Sequence, residues 1–187
     1  MSKKMIIPII IGVVVLLGIS IAGSYNSLVS LEQKVEKEGS NIEIALQRRA
    51  DLIPNLVATV QGYAKHEKRV IDAITTARTE LLNASGVDAK SKANEKLTTA
   101  LNSLFVIVEN YPDLKASTNF IQLQDELAGT ENRLATVRRD YNDAVNLYNT
   151  KVKSFPTNLM ASMFGFEKKE LFEAAESSYT KPVVEFE

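Results

Sequence analysis

Nineteen consecutive residues, Met5 to Gly23 (MIIPIIIGVVVLLGISIAG), carry no charge. As a helix the run rises about 28 Å, close to the hydrocarbon thickness of a bilayer. Twelve of the nineteen are Ile, Val or Leu, worth about −4 to −7 kcal/mol on insertion. Pro8 falls in the first turn, where its missing N–H matters least. Residues 1–24 are therefore expected to be a short tail and a single transmembrane helix. The rival reading is a cleavable signal peptide, with Lys3 and Lys4 as its basic start and Ser20-Ile21-Ala22 as the cleavage site. Against it, the run exceeds the usual signal core and the chain continues in helical phase beyond Gly23. The positive-inside rule, applied to Lys3 and Lys4, puts the N-terminus in the cytoplasm and the body outside. A tail of four residues crosses readily, so the reverse topology stays open.

The body after the run is large enough for one domain with a real core. Of 22 basic residues two precede the run, which leaves 20 against 23 acidic ones, a net charge of −3. That balance leaves no electrostatic footprint for nucleic acid. The absence of cysteine excludes disulfides, thiolate metal sites and a cysteine nucleophile.

Apolar residues recur at helical spacing throughout the body, and no strand pattern competes. Leu28, Leu31, Val35, Ile42 and Leu46 mark a first helix over about 25–50, expected to continue directly from the membrane run. Arg48-Arg49-Ala50-Asp51-Leu52-Ile53-Pro54-Asn55 reads as a break, because proline disfavours helix before it and suits a new first turn that Asp51 can cap. A second helix follows over 53–83, until Asn83-Ala84-Ser85-Gly86. A third, 89–110, opens near Asp88 and stops at Tyr111-Pro112-Asp113. The fourth, 117–155, carries Phe120, Leu123, Leu127, Leu134, Tyr141, Val145, Tyr148, Val152 and Phe155 up to Pro156. A helix of this length cannot offset its ordering entropy alone and must share its apolar stripe. The expected architecture is all-α: the transmembrane helix, then an antiparallel four-helix bundle over 25–156, then an aromatic-rich tail over 157–187. That topology puts the turns at 48–55 and 111–113 at the distal tip.

Several blocks together resemble the LemA family of bacterial membrane proteins: RRADLIPNLV at 48–57, GYAKHE at 62–67, Ala77-Arg78, ENYPDLKA at 109–116, the Tyr-Asn pairs at 25–26, 141–142 and 148–149, and Phe155-Pro156. The resemblance runs from the anchor to about Phe166. It implies a single-pass N-terminal anchor in the bacterial cell membrane, a helical bundle and no established enzymatic activity. It also implies a link to membrane organisation, since the family has a branch used in magnetosome membrane formation. The residues it singles out as structural are Tyr25, Asn26, Pro54, Tyr63, Glu67, Arg78, Tyr111, Pro112, Tyr141, Asn142, Tyr148, Asn149, Phe155 and Pro156.

Chemistry-bearing groups are few. His66 is the only histidine and has no partner at the i+4 spacing of zinc-binding helices, so a partly exposed residue on the second helix is expected. No phosphate-cradling glycine loop or nucleophile-base arrangement is present. The arginine pairs at 48–49 and 138–139 can meet anionic partners, but ion pairs with acids such as Asp51, Glu109, Glu131 or Asp140 are the plainer expectation. The expected function is therefore binding or scaffolding in the envelope, with no catalysis, cofactor, metal or nucleic acid. Its partners are the bilayer, through the N-terminal helix, and an unknown envelope protein that meets Arg48, Arg49, Asp51, Asn55 and Asp113 at the tip. The alternative is membrane organisation, through self-association or interfacial lipid contact by Phe164, Phe166 and Phe172, although the plainer expectation for this aromatic tail is that it caps the open end of the bundle. Residues 177–187 are expected to be frayed or extended, with Pro182 excluding a helix through them.

Overall fold

A single helix, α1 (Lys3–Tyr63), carries the chain from the apolar run straight through Pro54. The computed structural model describes residues 3–172, with side chains from residue 11 onward except 13, 14 and 17. The expectations for 177–187 and Pro182 lie outside the described residues. After α1 come α2 (Lys68–Asn83), α3 (Val87–Val108), the single turn α4 (Pro112–Lys115), α5 (Thr118–Lys153) and α6 (Thr157–Phe164). Among the described residues there is no strand, and the protein is all-α.

The expected break at 48–55 does not occur. Pro54 has no N–H to give the Ala50 carbonyl four residues back, and an interior proline ordinarily kinks or breaks a helix for this reason. Here Arg78 Nε, from α2, donates to the Ala50 oxygen at 2.8 Å. Ala50 is fully buried, so an open carbonyl there would be costly. A side chain from a neighbouring helix thus replaces the missing rung. The chain reverses instead at Ala64–Glu67, where Ala64 N–H donates to Val60 O and Glu67 N–H to Ala64 O. The expected boundaries 25–50 and 53–83 are corrected accordingly: Arg48, Arg49, Asp51 and Asn55 lie inside α1 and at no turn. His66 sits exposed in the reversal rather than on the second helix.

The other boundaries shift less. Gly86, with φ of 84°, forms the N-cap of α3, a conformation open to glycine at little cost. Asp88 makes no cap and instead pairs with Lys92 one turn on. Pro112 opens α4 in the first-turn position that suits it. The fourth helix ends at Lys153, two residues short of expectation. Phe155 lies beyond it and is 82% exposed, so this ring leaves the stripe. The Phe155–Pro156 peptide is cis.

The described chain forms two compact units. One contains the residues up to Gly39 and Asn142–Lys169. Its interior includes Leu28, Val35, Val145 and Tyr148. The other contains Ser40–Tyr141 and the chain from Glu170. Its interior is built from Ile42, Leu46, Ile53, Leu56 and Val60 of α1, Ile71, Ile74 and Leu81 of α2, Leu97, Leu101 and Leu104 of α3, and Phe120, Leu127 and Leu134 of α5. Among the described residues no helix is long and apolar enough to cross a membrane.

Candidate functional site

In the second unit α1, α3 and α5 meet around a buried cation. Arg49 occupies a position in phase with Leu46, Ile53 and Leu56, so the stripe that forms the core carries it inward, and it is only 4% exposed. Its Nη1 donates to Asn94 Oδ1 of α3 at 2.6 Å. The same nitrogen lies 2.6 Å from Glu131 Oε2 of α5, an ion pair rather than an aligned hydrogen bond. Nε has no partner among the described residues. Burial holds the guanidinium below its ordinary pKa, Glu131 opposes that shift and Arg138 adds to it. Arg138 is lowered by burial as well, against Glu131, and its guanidinium stacks 4.6 Å over the buried Phe172 ring. This cluster ties three helices together, with Arg49 and Asn94 buried and Glu131 half-exposed at its edge.

Beside it, α1 and α5 leave an open groove of about 1360 Å³. Its floor includes the buried Ala45 and Thr130, and its walls carry Asn41, Arg48, Asn55, Asn119, Gln122, Asp125, Glu126 and Arg133. Ile44, 67% exposed, adds an apolar rim. Arg48 and Glu126 pair across it at 3.0 Å. At Gly129, also in the lining, an added side chain would meet nothing within 4 Å.

The residues expected at the tip are therefore separated. Arg48 and Asn55 line the groove. Arg49 is in the core and cannot touch a partner. Asp51 is exposed on α1, where it accepts from Gln47 Nε2 at 2.8 Å, and Asp113 is exposed in the first turn of α4. What meets at a reversal is another pair: the Tyr111 hydroxyl donates to Glu67 Oε1 at 2.6 Å, and this bond, ahead of burial, raises the tyrosine pKa.

The remaining motif residues hold the returning chain. In the second unit the Tyr141 hydroxyl donates to the Glu170 carbonyl at 3.0 Å. In the first unit Asn149 grips Lys169 by both backbone groups, Nδ2 donating to its carbonyl at 2.9 Å and Oδ1 accepting its N–H at 3.0 Å. Lys169 reaches Glu32 at 2.8 Å, which raises its pKa, and lies over the Tyr148 ring. The Tyr148 hydroxyl is buried with no partner among the described residues, and burial raises its pKa. Tyr25 packs edge-on against Phe164 and Phe166 at 5.0 and 5.7 Å. Of the three aromatics grouped as membrane-proximal, Phe164 is exposed, Phe166 half-buried and Phe172 buried. Pro54 and Tyr63 lie exposed on α1, and Asn26 is exposed beside Tyr25.

Sequence reasoning missed Asn94 and Thr130, although both are in phase with apolar stripes: Asn94 with Leu97 and Leu101, Thr130 with Leu127 and Leu134. A polar residue on such a stripe is the signal for a buried polar contact. Among the described residues no group of three or more His, Asp or Glu could hold a metal.

Long helices cross-tied by buried polar side chains define an all-helical fold. The LemA family pattern matches residues 38–186. Protein LemA of Metamycoplasma hominis is 30% identical over 159 residues, covering 82% of this chain and 71% of that protein. Magnetosome protein MamQ 2 of Paramagnetospirillum magneticum is 27% identical over 175 residues, and magnetosome protein MamQ of Magnetospirillum gryphiswaldense 25% over 174. The alignments take in 80% and 79% of this chain but only 64% of either magnetosome protein. The chain belongs to the LemA family.

Proposed function

We propose that this protein is a membrane-tethered helical scaffold without a catalytic step, in which the apolar run is a single transmembrane anchor and the rest a four-helix bundle. One observation carries the reading: every described side chain from Ile11 to Gly23 is exposed, with Ile11, Val15, Leu16 and Ile19 more than half so. An apolar helix whose described side chains are covered by nothing among the described residues is stable when lipid surrounds it. The sequence continues the apolar run back to Met5, beyond the described side chains. Relatives that are named magnetosome proteins support a place at a membrane.

The partner contact is the groove between α1 and α5. Its mixed walls, with Arg48 on α1 and Asp125, Glu126 and Arg133 on α5, suit a polypeptide segment bearing both signs of charge. Photo-crosslinkers at Asn55 and Gln122 should capture an envelope protein from native membranes, while crosslinkers at Thr99 and Asn102 on exposed α3 should not. Gly129→Leu should fill the groove and abolish capture without loss of helicity. Capture that survives Gly129→Leu would sink the groove assignment. A second reading, membrane organisation, is favoured by the exposed apolar residues around α6.

A further inference from the structure

The short helix α6 is built inside out. Thr157 and Ala161, one turn apart, are its buried residues. Leu159 and Met163, one turn apart on the opposite face, are 54% and 71% exposed, and Phe164 beside them is 52% exposed. Phe155, just ahead of the helix, is more exposed still. Burying apolar surface is worth about 25 cal/mol per Å², so an eight-residue helix facing water would be expected to turn Leu and Met inward and Thr outward. The reverse orientation implies that something apolar covers the large side chains.

Tyr25 fixes where that cover lies. Its ring meets Phe164 and Phe166, and Gly165, in the left-handed region at φ 76°, closes the helix so that Phe166 N–H reaches the Ala161 carbonyl at 2.9 Å. Tyr25 stands two residues after Gly23, where the apolar run ends. At 1.5 Å per residue that is about 3 Å along α1. The exposed face of α6 is therefore level with the end of the apolar run, whose described residues are uncovered in the same way. Lys151, Lys153 and Lys168 flank the segment against a single acid, Glu167, a composition that suits an anionic headgroup layer. Tyrosine at the end of the run also fits the aromatic belt of a membrane interface.

We infer that α6, with Phe155, lies in the bilayer interface, its Leu159–Met163 face in the acyl boundary and the flanking Lys151, Lys153 and Lys168 at the headgroups. The inference rests on the anchored reading of Met5–Gly23. On it, the protein grips its membrane at two points, and the second fixes how the first unit stands on the surface.

The chain has no tryptophan, so single tryptophans report without background. Full-length Leu16→Trp, Leu159→Trp, Met163→Trp and Val106→Trp variants would be reconstituted in phosphatidylcholine and phosphatidylglycerol vesicles, with bromine placed near either the ester or the methyl end of the acyl chains. The expected result is quenching of the probes at positions 159 and 163 chiefly by the ester-end label. The residue-16 probe should be quenched more strongly by the methyl-end label, and the residue-106 probe by neither. If the residue-16 probe is quenched and those at 159 and 163 are not, the interfacial helix is wrong while the anchor stands. If the residue-16 probe is not quenched, the anchored reading fails and this inference with it. Blue-shifted emission at 159 and 163 that is indifferent to bromine and depends on protein concentration would replace lipid by a second copy of the chain.

Discussion

The two units solve the problem of uncovered groups in opposite ways. Within Ser40–Tyr141 the difficult group is a charge, and the chain covers it: Arg49 is enclosed by Asn94 and Glu131. In the first unit the difficult groups are large apolar side chains: Ile11, Val15, Leu16, Ile19 and Ile21, with Leu159, Met163 and Phe164 of α6, are exposed among the described residues. A buried cation without partners would cost several kcal/mol, so it must be paired within the protein. An apolar patch can be covered from outside. The interior of Ser40–Tyr141 pairs its charge within the protein; the exposed apolar side chains of the other unit are covered by nothing among the described residues.

The sharpest way to break this comparison is Arg49→Ala. Removing one member of a buried ionic cluster should cost about 3 kcal/mol, read as lost amide-exchange protection across α1, α3 and α5 between residues 40 and 141. Unchanged protection there would mean that the cation is incidental to the interior.

Next in size is the rung at Ala50. Arg78→Ala should destabilise the same unit by about 2 kcal/mol, because a buried carbonyl loses a charged donor. Pro54→Ala restores an N–H at residue 54, so the double variant should recover most of the loss. A double-mutant cycle in urea that shows no coupling would separate the two residues.

The smallest effect is on pH dependence. Lys169 is held above its ordinary pKa by Glu32, and Tyr148 by burial. For both, the stabilising protonated form is fully present below the unfolded value, about pH 10, and its contribution is lost as pH rises through the higher folded values. Exchange in the first unit should therefore accelerate above about pH 10. Arg49 is shifted the other way, lowered by burial, so it adds no alkaline loss of this kind to the second unit. Tyr111, raised by Glu67 in the second unit, would act in the same direction, so the measurement belongs in a Tyr111→Phe background. Equal alkaline sensitivity of both units in that background would erase the contrast.

The sequence showed the helices and their stripes because periodicity is a local property: Leu28, Val35, Ile42 and Leu46, Leu97, Leu101, Leu104 and Val108, and Phe120, Leu127, Leu134, Tyr141, Val145 and Tyr148 are buried where spacing put them, while Leu31, Phe105 and Leu123 are half-buried. It misled at Pro54, since proline's local preference was overruled by Arg78, 28 residues away at the bond to Ala50. The stripe itself runs unbroken from Leu46 through Ile53 to Val60, a hint that the helix continues. Conversely, nothing in the spacing marks the reversal at Ala64–Glu67, because Ala64 and Ile71 are also a heptad apart. Of the residues that line the groove, the sequence singles out Arg48 and Asn55, as residues of a turn that the structure replaces by continuous helix. Arg49 was grouped with them although its register pointed inward.

The bond from Arg78 to Ala50 also bears on synthesis. The donor lies 28 residues beyond the carbonyl it serves, so while residues up to 63 emerge from the ribosome ahead of α2, that carbonyl has no side-chain donor. A proline in such a segment weakens the helix, and the rung at Ala50 is completed when α2 arrives alongside.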